Sequence, residues 1–282
     1  MTTMSFREAE HAGWTARADS YDAALAGVTG QAIPHILAAL GDNFDCRSLL
    51  DVCCGPGHLS AAAAARGHRA EGIDFAPTMV ALAQRNYPAV SFREADAERL
   101  PYPDASFDAI ACAFGLMHME RPDLAIAEAF RVLRPGGVFV FTQWAADDEL
   151  LGIVGAAVAA HGNPRVEDLP PTPPLMRFSD PDECQRTLLR QGFQTALATR
   201  IDLVWFGDRP EAVLDLIHGG AVRAAMLIEA QAPEDRQRIN AAILEAVSTR
   251  RAPGGYLVRR PALCAAASPP RTGAQASGIR RP

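Results

Sequence analysis

The sequence predicts an α/β fold in which helices cover both faces of a doubly wound parallel sheet. Between residues 48 and 143, short apolar runs alternate with helical patterns, and this alternation is typical of a parallel sheet. A glycine turn, Gly55-Pro56-Gly57, directly follows the first apolar run. In doubly wound sheets, ligands bind at the carboxyl ends of the strands, where the strand order reverses. The chain has 282 residues, which is enough for one sizeable core.

Each element of the predicted core follows from a local signal. Residues 48–53 form a short, continuous apolar run that the glycine turn ends, as expected of a buried strand. Residues 58–66 are rich in alanine and favour a helix. Pro77 suits the first turn of a second helix. The predicted strands are 48–53, 69–74, 89–94, 107–114 and 137–143, and the predicted helices are 58–66, 77–86 and 123–133.

The sequence on either side of this core is less regular. Residues 1–43 predict two N-terminal helices, and 44–143 form the ligand-binding core. Residues 145–178 are expected to be irregular because prolines cluster at 170–174. Beyond them we predict a helix over 181–191 capped by Ser179 or Asp180, a strand over 193–206, two helices over 209–250 with a break at Gly219-Gly220, and a last strand over 256–267. We assign residues 1–267 to one domain, and expect the Pro-, Gly-, Ser- and Arg-containing tail, 268–282, to be disordered.

Composition excludes several classes of function. The net charge is −6, and all 27 basic residues are arginines. Without lysine there is neither a phosphate-loop lysine nor a lysine Schiff base. The sequence has no basic stripe, so we expect no binding to nucleic acid. It also has no apolar run of the ~18 residues that a membrane span needs and no signal-peptide pattern, so we expect a cytoplasmic protein that does not enter a membrane.

The six cysteines lack the paired spacing of a zinc site, and we expect them to be free, small, buried residues. Cys53 and Cys54 are adjacent, but neighbouring residues of a strand point to opposite faces, which disfavours a redox pair. The sequence shows no metal-ligand constellation, so no metal site is predicted, although a carboxylate-assisted metal site of the catechol type stays open.

The glycine turn and the end of the second strand indicate a nucleoside-containing ligand. Gly55 and Gly57 match only part of the dinucleotide fingerprint, because Ser60 stands at the place of its third glycine. Asp74 ends the second strand, where a carboxylate can accept hydrogen bonds from two ribose hydroxyls. These features favour NAD and S-adenosyl-L-methionine (SAM) equally.

Four motifs in order and register resemble those of the class I SAM-dependent methyltransferases. They are LLDVCCGPG, EGIDFAPTMV, DAERLPYPDASFDAI and RVLRPGG. The chain is most similar to the branch that contains the ubiquinone/menaquinone-biosynthesis C-methyltransferases and many small-molecule methyltransferases. The resemblance implies SAM as the cofactor and a seven-stranded sheet of order 3-2-1-4-5-7-6 with its last strand antiparallel.

The resemblance also implies which residues hold the cofactor. The expected cofactor-binding residues are Tyr21, Asp51, Gly55, Gly57, Asp74, Phe75, Met79, Asp96, Ala97 and Phe114. The glycine loop is expected against the amino-acid part of SAM, and Asp51 orients that loop. Asp74 is expected on the ribose hydroxyls and Phe75 beside the adenine.

The remaining roles concern the adenine edge and the cover of the site. The resemblance places Asp96 on the adenine amino group, the Ala97 N–H on a ring nitrogen, and Phe114 on the wall of the cleft. The segment RADSYD, which contains Tyr21, resembles the part of the family that closes over the cofactor carboxylate. Three alternatives stay open: Asp51 as a cap of local backbone, and Phe75 and Phe114 as ordinary core aromatics.

His118, in FGLMHME after the fourth strand, is the candidate general base, because histidine titrates near neutral pH. The alternative is a structural histidine that bonds nearby backbone. A base is needed only when the methyl acceptor arrives protonated.

We therefore expect methyl transfer from SAM to a small, largely apolar metabolite by in-line displacement, in a monomer or homodimer. Residues 145–178 and 209–250 are the expected lid over the substrate. Two alternatives are a protein that binds SAM without transferring methyl, such as a cyclisation catalyst or regulator, and an NAD-dependent oxidoreductase.

Overall fold

The computed structural model describes residues 4–41, 48–166 and 169–271, and two sheets organise them. The strands are β1 (Ser48–Val52), β2 (Arg69–Asp74), β3 (Ser91–Glu94), β4 (Phe107–Ala113), β5 (Leu133–Trp144), β6 (Thr195–Ile201), β7 (Val204–Gly207), β8 (Arg251–Ala252), β9 (Gly255–Arg259) and β10 (Ala262–Ser268). The helices are α1 (Phe6–Ala24), α2 (Ala26–Thr29), α3 (Ile33–Leu40), α4 (His58–Ala65), α5 (Pro77–Asn86), α6 (Pro122–Val132), α7 (Glu149–His161), α8 (Pro181–Arg190), α9 (Ala212–Gly220), α10 (Val222–Glu229) and α11 (Pro233–Ser248).

The larger sheet has seven strands in the order β3-β2-β1-β4-β5-β10-β6. The first five strands are parallel, and β10 runs antiparallel to both β5 and β6. Because β10 is the last strand along the chain, this order confirms the predicted 3-2-1-4-5-7-6 topology. Successive residues of β1 pack on opposite faces, Leu49 in one buried cluster and Leu50 in the other.

The core elements lie close to their predicted positions. The predicted β2 and α5 have the observed bounds, and β1 and β4 each end one residue earlier than expected. The fifth strand starts at Leu133 rather than at 137, immediately after α6. In the N-terminal segment the predicted two helices are α1 and a second helical stretch that α2, a short 3₁₀ turn and α3 form together.

The prediction of irregular structure over 145–178 is wrong in part, because α7 occupies Glu149–His161. Asp148 caps this helix by accepting a hydrogen bond from the Leu151 N–H at 2.9 Å. The proline cluster lies beyond the helix and does not affect it. The cap of α8 was one of two candidates, and the structure selects Asp180, which accepts from the Asp182 N–H.

Two predicted strands are each split between the two sheets. The predicted strand 193–206 is β6 followed by β7, and the predicted strand 256–267 is β9 followed by β10. The two pairs form one antiparallel ribbon that bends where the Arg260 N–H donates to the Leu203 carbonyl. Pro261 follows the bend and has no N–H to extend the ladder. Beyond the bend, β7, β9 and β8 form the smaller sheet.

The predicted helical pair over 209–250 is three helices, α9, α10 and α11. The break lies at Ala221, because α9 continues through Gly219 and Gly220. These glycines allow α1 to pack closely. A Cβ on Gly219 would lie 3.2 Å from the Ser20 carbonyl oxygen, and one on Gly220 would overlap Leu25.

Two further predictions concern the ends and membranes. Most of the predicted disordered tail, from residue 272 onward, lies outside the described residues. In the described part of the chain no single helix is long and apolar enough to cross a membrane; only the bent pair Phe6–Ala24 and Ala26–Leu40, taken together, reaches that length and composition.

Asp51 ties the end of β1 to the start of α4. Its Oδ2 accepts hydrogen bonds from the Ser60 N–H at 3.0 Å and the Ser60 hydroxyl at 2.6 Å. The side chain is buried, and burial raises the pKa of Asp51 to about 7, although the bonds from Ser60 oppose the rise. Asp51 therefore joins a strand to a helix and carries an unfavourable charge above neutral pH.

This charge predicts a pH dependence of stability. The folded state holds a proton on Asp51 between the ordinary aspartate pKa and about 7, so its contribution to the free energy of unfolding falls as the pH rises through that window. The contribution of Asp51 to the free energy of unfolding should fall on the order of 2–4 kcal/mol between pH 5 and 8, and Asp51→Asn should remove this fall. Urea unfolding at several pH values measures the difference in slope.

Asp108→Asn is the matched control. Burial acts against ionisation of Asp108, but hydrogen bonds from Arg134 and Ser48 outweigh it and hold the pKa of Asp108 below its ordinary value. Its contribution is lost only in acid, so this variant should keep the wild-type slope between pH 5 and 8. An Asp51→Asn slope equal to that of the wild type would show that Asp51 does not titrate in this window.

Candidate functional site

A cleft opens at the carboxyl ends of β1 and β4, where the strand order reverses. The residues that follow these strands, Cys53 and Phe114, have φ angles of 58° and 55°. This left-handed backbone is unfavourable for residues other than glycine by about 1–3 kcal/mol, and such strain concentrates at functional sites. Both residues line a cavity at the strand ends. The two strained residues turn the chain away from the sheet on either side of the cleft.

The two glycines of the loop after β1 have different roles. Gly55 has a φ of +51°, and a Cβ built there meets no atom within 4 Å among the described residues. Gly55 lines the cavity, so its backbone is accessible to a ligand. Gly57 has a φ of +89°, and its Cβ would lie 2.7 Å from the Phe92 ring. Close packing therefore requires glycine at 57, whereas the space beside Gly55 is open.

Asp74 lies at the end of β2 and connects the loop to the second strand. Its Oδ2 accepts from the Gly55 N–H at 3.0 Å, and its Oδ1 accepts from the Ala76 N–H at 2.9 Å. Burial raises the pKa of Asp74 to about 6, against the effect of these backbone hydrogen bonds. A carboxylate has about four acceptor positions, so Asp74 retains capacity for two further donors.

The structure brings most of the predicted site residues together. Those on the wall of the main cavity are Tyr21, Gly55, Asp74, Phe75, Met79, Phe114 and His118. Those on a second cavity that shares part of this wall are Asp74, Phe75, Asp96, Ala97 and His118. Asp51 and Gly57 line neither cavity, and their contacts with Ser60 and Phe92 hold the loop from behind.

Two predicted residues have partners that the sequence did not reveal. Asp96 accepts a hydrogen bond from Arg7 of α1 at 3.0 Å, and its other oxygen accepts from the Glu98 N–H. Tyr21 shares a hydrogen bond with the Thr29 hydroxyl at 3.0 Å, and burial raises the pKa of Tyr21 to about 12. Helix α1 therefore covers the site with both its first and its last turns.

His118 pairs with a buried carboxylate from α1. Its Nδ1 lies 2.8 Å from Oε2 of Glu10, whose side chain is fully buried. Trp14 donates to the same oxygen at 3.2 Å, and its ring meets the imidazole edge to face, with centroids 4.8 Å apart. A proton on Nδ1 satisfies this geometry and leaves Nε2 as an acceptor. If His118 is a structural histidine, its partner is thus the Glu10 side chain rather than the nearby backbone.

An aromatic stack forms another part of the wall. The rings of Phe114 and Trp144 are stacked with centroids 4.2 Å apart, and the Arg260 guanidinium lies 4.0 Å from the centroid of Trp144. All three residues line the main cavity. Within the described ranges, no three His, Cys, Asp or Glu side chains are placed to hold a metal ion.

The sequence analysis missed Glu10, Trp144, Arg223 and Arg260. Glu10 had a signal, because it lies on the helix face that buries Phe6, Ala9 and Gly13. A carboxylate on an apolar face needs a partner. The other three follow residue 143, where no motif gave their positions.

The site fits a nucleoside cofactor that carries an amino-acid group. The open space beside Gly55 admits a ligand against the loop backbone, and Asp74 offers unused acceptor capacity beside it. Phe75 and Met79 supply apolar surface on the same wall. These are the donors, acceptors and apolar contacts that SAM requires.

Comparison with known proteins agrees with this geometry. A family model described as a methyltransferase domain matches residues 50–141. A demethylmenaquinone methyltransferase of Deinococcus radiodurans is 34% identical over 184 residues, which span 58% of this chain and 76% of that protein. A demethylmenaquinone methyltransferase of Thermus thermophilus is 41% identical over 104 residues, 35% of this chain, and the match spans 47% of that relative.

The solved structure of the YcgJ protein from Bacillus subtilis has the same fold. It superposes with a TM-score of 0.57 at 19% identity, and the match covers 86% of this chain and 100% of that one. The sequence relatives and the matching fold confirm the resemblance that the four motifs gave. The chain belongs to the class I SAM-dependent methyltransferases, enzymes whose cofactor is S-adenosyl-L-methionine.

Proposed function

We propose that this methyltransferase acts on a small, largely apolar molecule that binds in the cavity beside Phe114 and Trp144. The observation that carries the proposal is the composition of the cavity wall. Apart from Asp74 and a few polar groups, that wall is built from aromatic and aliphatic side chains, among them Leu151 and Met176. Apolar walls with few convergent polar groups are typical of small-molecule sites.

The predicted cofactor residues have different roles in this proposal. Gly55 presents open backbone to the amino-acid part, and Asp74 accepts from the ribose. Phe75, Met79, Asp96 and Ala97 surround the adenine, with Arg7 sharing Asp96. Asp51 and Gly57 act from behind the loop, and Tyr21 and Phe114 border the cleft. When bound, SAM supplies a methyl group that its sulfonium already activates.

The chain's own contribution is alignment and exclusion of water. Helix α1 is held to α9 and α10, because Arg17 donates to the His218 carbonyl at 3.1 Å and pairs with Glu229 at 2.8 Å. In-line displacement depends on holding the reacting groups in one geometry. A cover fixed at several points also keeps water away from them.

His118 is the proposed base for acceptors that arrive protonated. Glu10 holds the imidazole through Nδ1 at 2.8 Å, which directs Nε2 away from that pair as the atom that accepts the proton. Because His118 lines both cavities, it is accessible to a molecule bound in either.

Membership of the family excludes the NAD-dependent oxidoreductase. The remaining alternative, a protein that binds SAM without transferring methyl, differs from a methyltransferase in what it releases. A protein that binds SAM without transferring methyl would release no S-adenosylhomocysteine. Incubation with methyl-labelled SAM and a metabolite extract should label one or a few apolar products. Tight SAM binding without any labelled product in such extracts would favour the binding-only alternative. The cytoplasmic location, the monomer or homodimer, and the absence of nucleic-acid and membrane partners stay predictions from the sequence.

Asp74→Asn should weaken SAM binding about tenfold or more above pH 7. The variant loses the charge that strengthens the hydrogen bonds from the ribose, each worth about 1.5–3 kcal/mol. Because the pKa of Asp74 is raised to about 6, wild-type affinity should fall as the pH drops through 6, while the affinity of the variant stays flat. Calorimetric titration from pH 5 to 8 measures both effects.

Asp19→Asn serves as the control for Asp74, because its side chain is 85% exposed and its ion pair within the described structure is with the exposed Arg85. It should bind SAM as the wild type does. Equal affinity and equal pH dependence of Asp74→Asn and the wild type would disprove the ribose assignment.

His118→Ala should lower kcat by about 10²-fold or more with an acceptor that carries a proton, while SAM affinity stays nearly unchanged. The loss reflects the missing proton acceptor. Thermal unfolding and single-turnover rates on the same sample distinguish a catalytic base from a structural histidine. If the melting temperature drops but the turnover of each folded molecule holds, His118 is structural.

The proposed lid, formed by parts of 145–178 and 209–250, predicts an effect on substrate choice. Ala224 of α10 lines the cavity, so Ala224→Phe should exclude bulky acceptors while SAM affinity changes less than about threefold. Leu227→Phe on the same helix is the control, since Leu227 lies outside the described wall. Methylation rates across acceptors of increasing size test this, and an unchanged size preference in Ala224→Phe would remove α10 from the lid.

A further inference from the structure

Arg260 is a buried cation whose side chain makes one hydrogen bond to the described residues. It lies at the bend between β9 and β10, and its side chain is 3% exposed. Its Nε donates to Oδ2 of Asp148 at 2.7 Å. The other oxygen of Asp148 accepts from the Leu151 N–H. Both oxygens of Asp148 are therefore engaged, and the pair uses only one edge of the guanidinium.

At the end of the Arg260 guanidinium, Nη1 carries N–H groups without an acceptor in the described part of the chain. Nη1 is buried, and among the described residues it has no hydrogen-bond partner. Arg200, by contrast, holds Asp147 with two bonds, from Nη1 at 2.7 Å and Nη2 at 2.9 Å. A buried N–H without an acceptor is unfavourable. The bond from Nε to Asp148 anchors the bend, and this anchoring does not explain the buried Nη1 of Arg260.

The aromatic stack fixes where this group lies. The guanidinium packs on Trp144, which packs on Phe114, and all three line the main cavity. Stacking restricts the guanidinium to one plane, so few orientations are lost when it binds an acceptor. A molecule that packs against this apolar wall has an available cationic donor at its edge.

The charges of the cavity wall also favour an anion. Arg223, the other arginine on this wall, is 14% exposed, and its Nη1 likewise lacks a partner in the described structure. Its Nε lies 3.5 Å from Glu10, a longer contact than that of Arg260 with Asp148. Asp74 is the acidic residue of the wall, and two backbone N–H groups already donate to it. The wall thus offers two guanidinium groups with N–H to spare.

We propose that Arg260 Nη1 binds an anionic oxygen of the methyl acceptor, so that the substrate is an apolar molecule bearing a carboxylate or an ionised enol. The inference rests on the proposed function, in which the acceptor occupies this cavity. Arg260 determines specificity: it recognises the acidic oxygen, while Phe114, Trp144 and their neighbours hold the apolar body.

Matched pairs of probes test the preference. 2-Naphthoate and 2-naphthamide share a shape and differ in charge, and ionised 4-hydroxycoumarin and neutral coumarin are the corresponding enol pair. Each is titrated by calorimetry into protein saturated with S-adenosylhomocysteine. The wild type should bind at least one anion about tenfold or more tightly than its neutral partner, since charge-assisted bonds to arginine are strong. Which pair shows the difference identifies the kind of acidic oxygen.

Variants assign that preference to Arg260. Arg260→Met combined with Asp148→Asn removes both charges, keeps an acceptor for the cap of α7, and leaves no buried ion unpaired. The ratio between anion and neutral probe should fall to within about threefold. Arg260→Lys should retain part of the ratio. Arg259→Met, next to it but 72% exposed and paired with Glu149, should retain all of it.

The outcomes separate this inference from the proposed function. Binding of S-adenosylhomocysteine to every variant at wild-type affinity shows that fold and cofactor site are intact. If the wild type binds that cofactor product but does not favour either anion, including by binding no probe at all, the Arg260 assignment is wrong and the methyl transfer stands. An anion preference that survives in the double variant also overturns it. Failure to bind either form of the cofactor contradicts the proposed function instead.

Discussion

The carboxylate of Glu10 holds the cover of the cleft to the sheet. It is fully buried, pairs with His118 after β4, accepts from Trp14 on its own helix, and lies 3.5 Å from Arg223 of α10. Truncating one partner of a buried charge is unfavourable because the remaining charge is left without compensation. Glu10 therefore links the position of α1, the orientation of His118 and one of the contacts between α1 and α10.

Buried carboxylates recur at the strand ends for a related reason. Asp51 and Asp74 each accept hydrogen bonds from the backbone just beyond a parallel strand, at Ser60, Gly55 and Ala76. Gly55 and Ala76 precede the following helix and Ser60 lies in its first turn, where backbone N–H groups have no helical carbonyl as a partner. A short acidic side chain satisfies them, and burial raises the pKa of both acids. Of the two, Asp74 also lines the main cavity, so the side chain that shapes the loop places a carboxyl group on the cavity wall.

The sequence predicted the core closely because its signals are local. The glycine turn, Pro77 and the apolar runs each mark an element within a few residues, and β2 and α5 have their predicted bounds. The bend at Arg260 was missed because pairing with β6 and β7 causes it, and that pairing joins residues about sixty positions apart. Site residues showed the same contrast: Gly55 and Asp74 stand in motifs, whereas Arg260 reaches the cavity only through the bent ribbon.

The wall of the main cavity combines residues of the segment that the family model matches with residues of later segments. The family model matches residues 50–141, which contain the glycine loop, Asp74, Asp96 and Phe114. Trp144 and Arg260 lie after that segment, as do the α7 and α10 residues on the cavity wall. The β5–β10 ladder joins the ribbon to that segment, and the Asp148–Arg260 pair joins the ribbon to the start of α7. The parallel strands pair through their own ladder, but the two large buried clusters combine residues of these strands with residues of the later segments. In the proposed function the acceptor contacts Phe114 and His118 of the matched segment as well as Trp144 and Arg260 after it, so its chemistry has to be inferred from both parts of the wall.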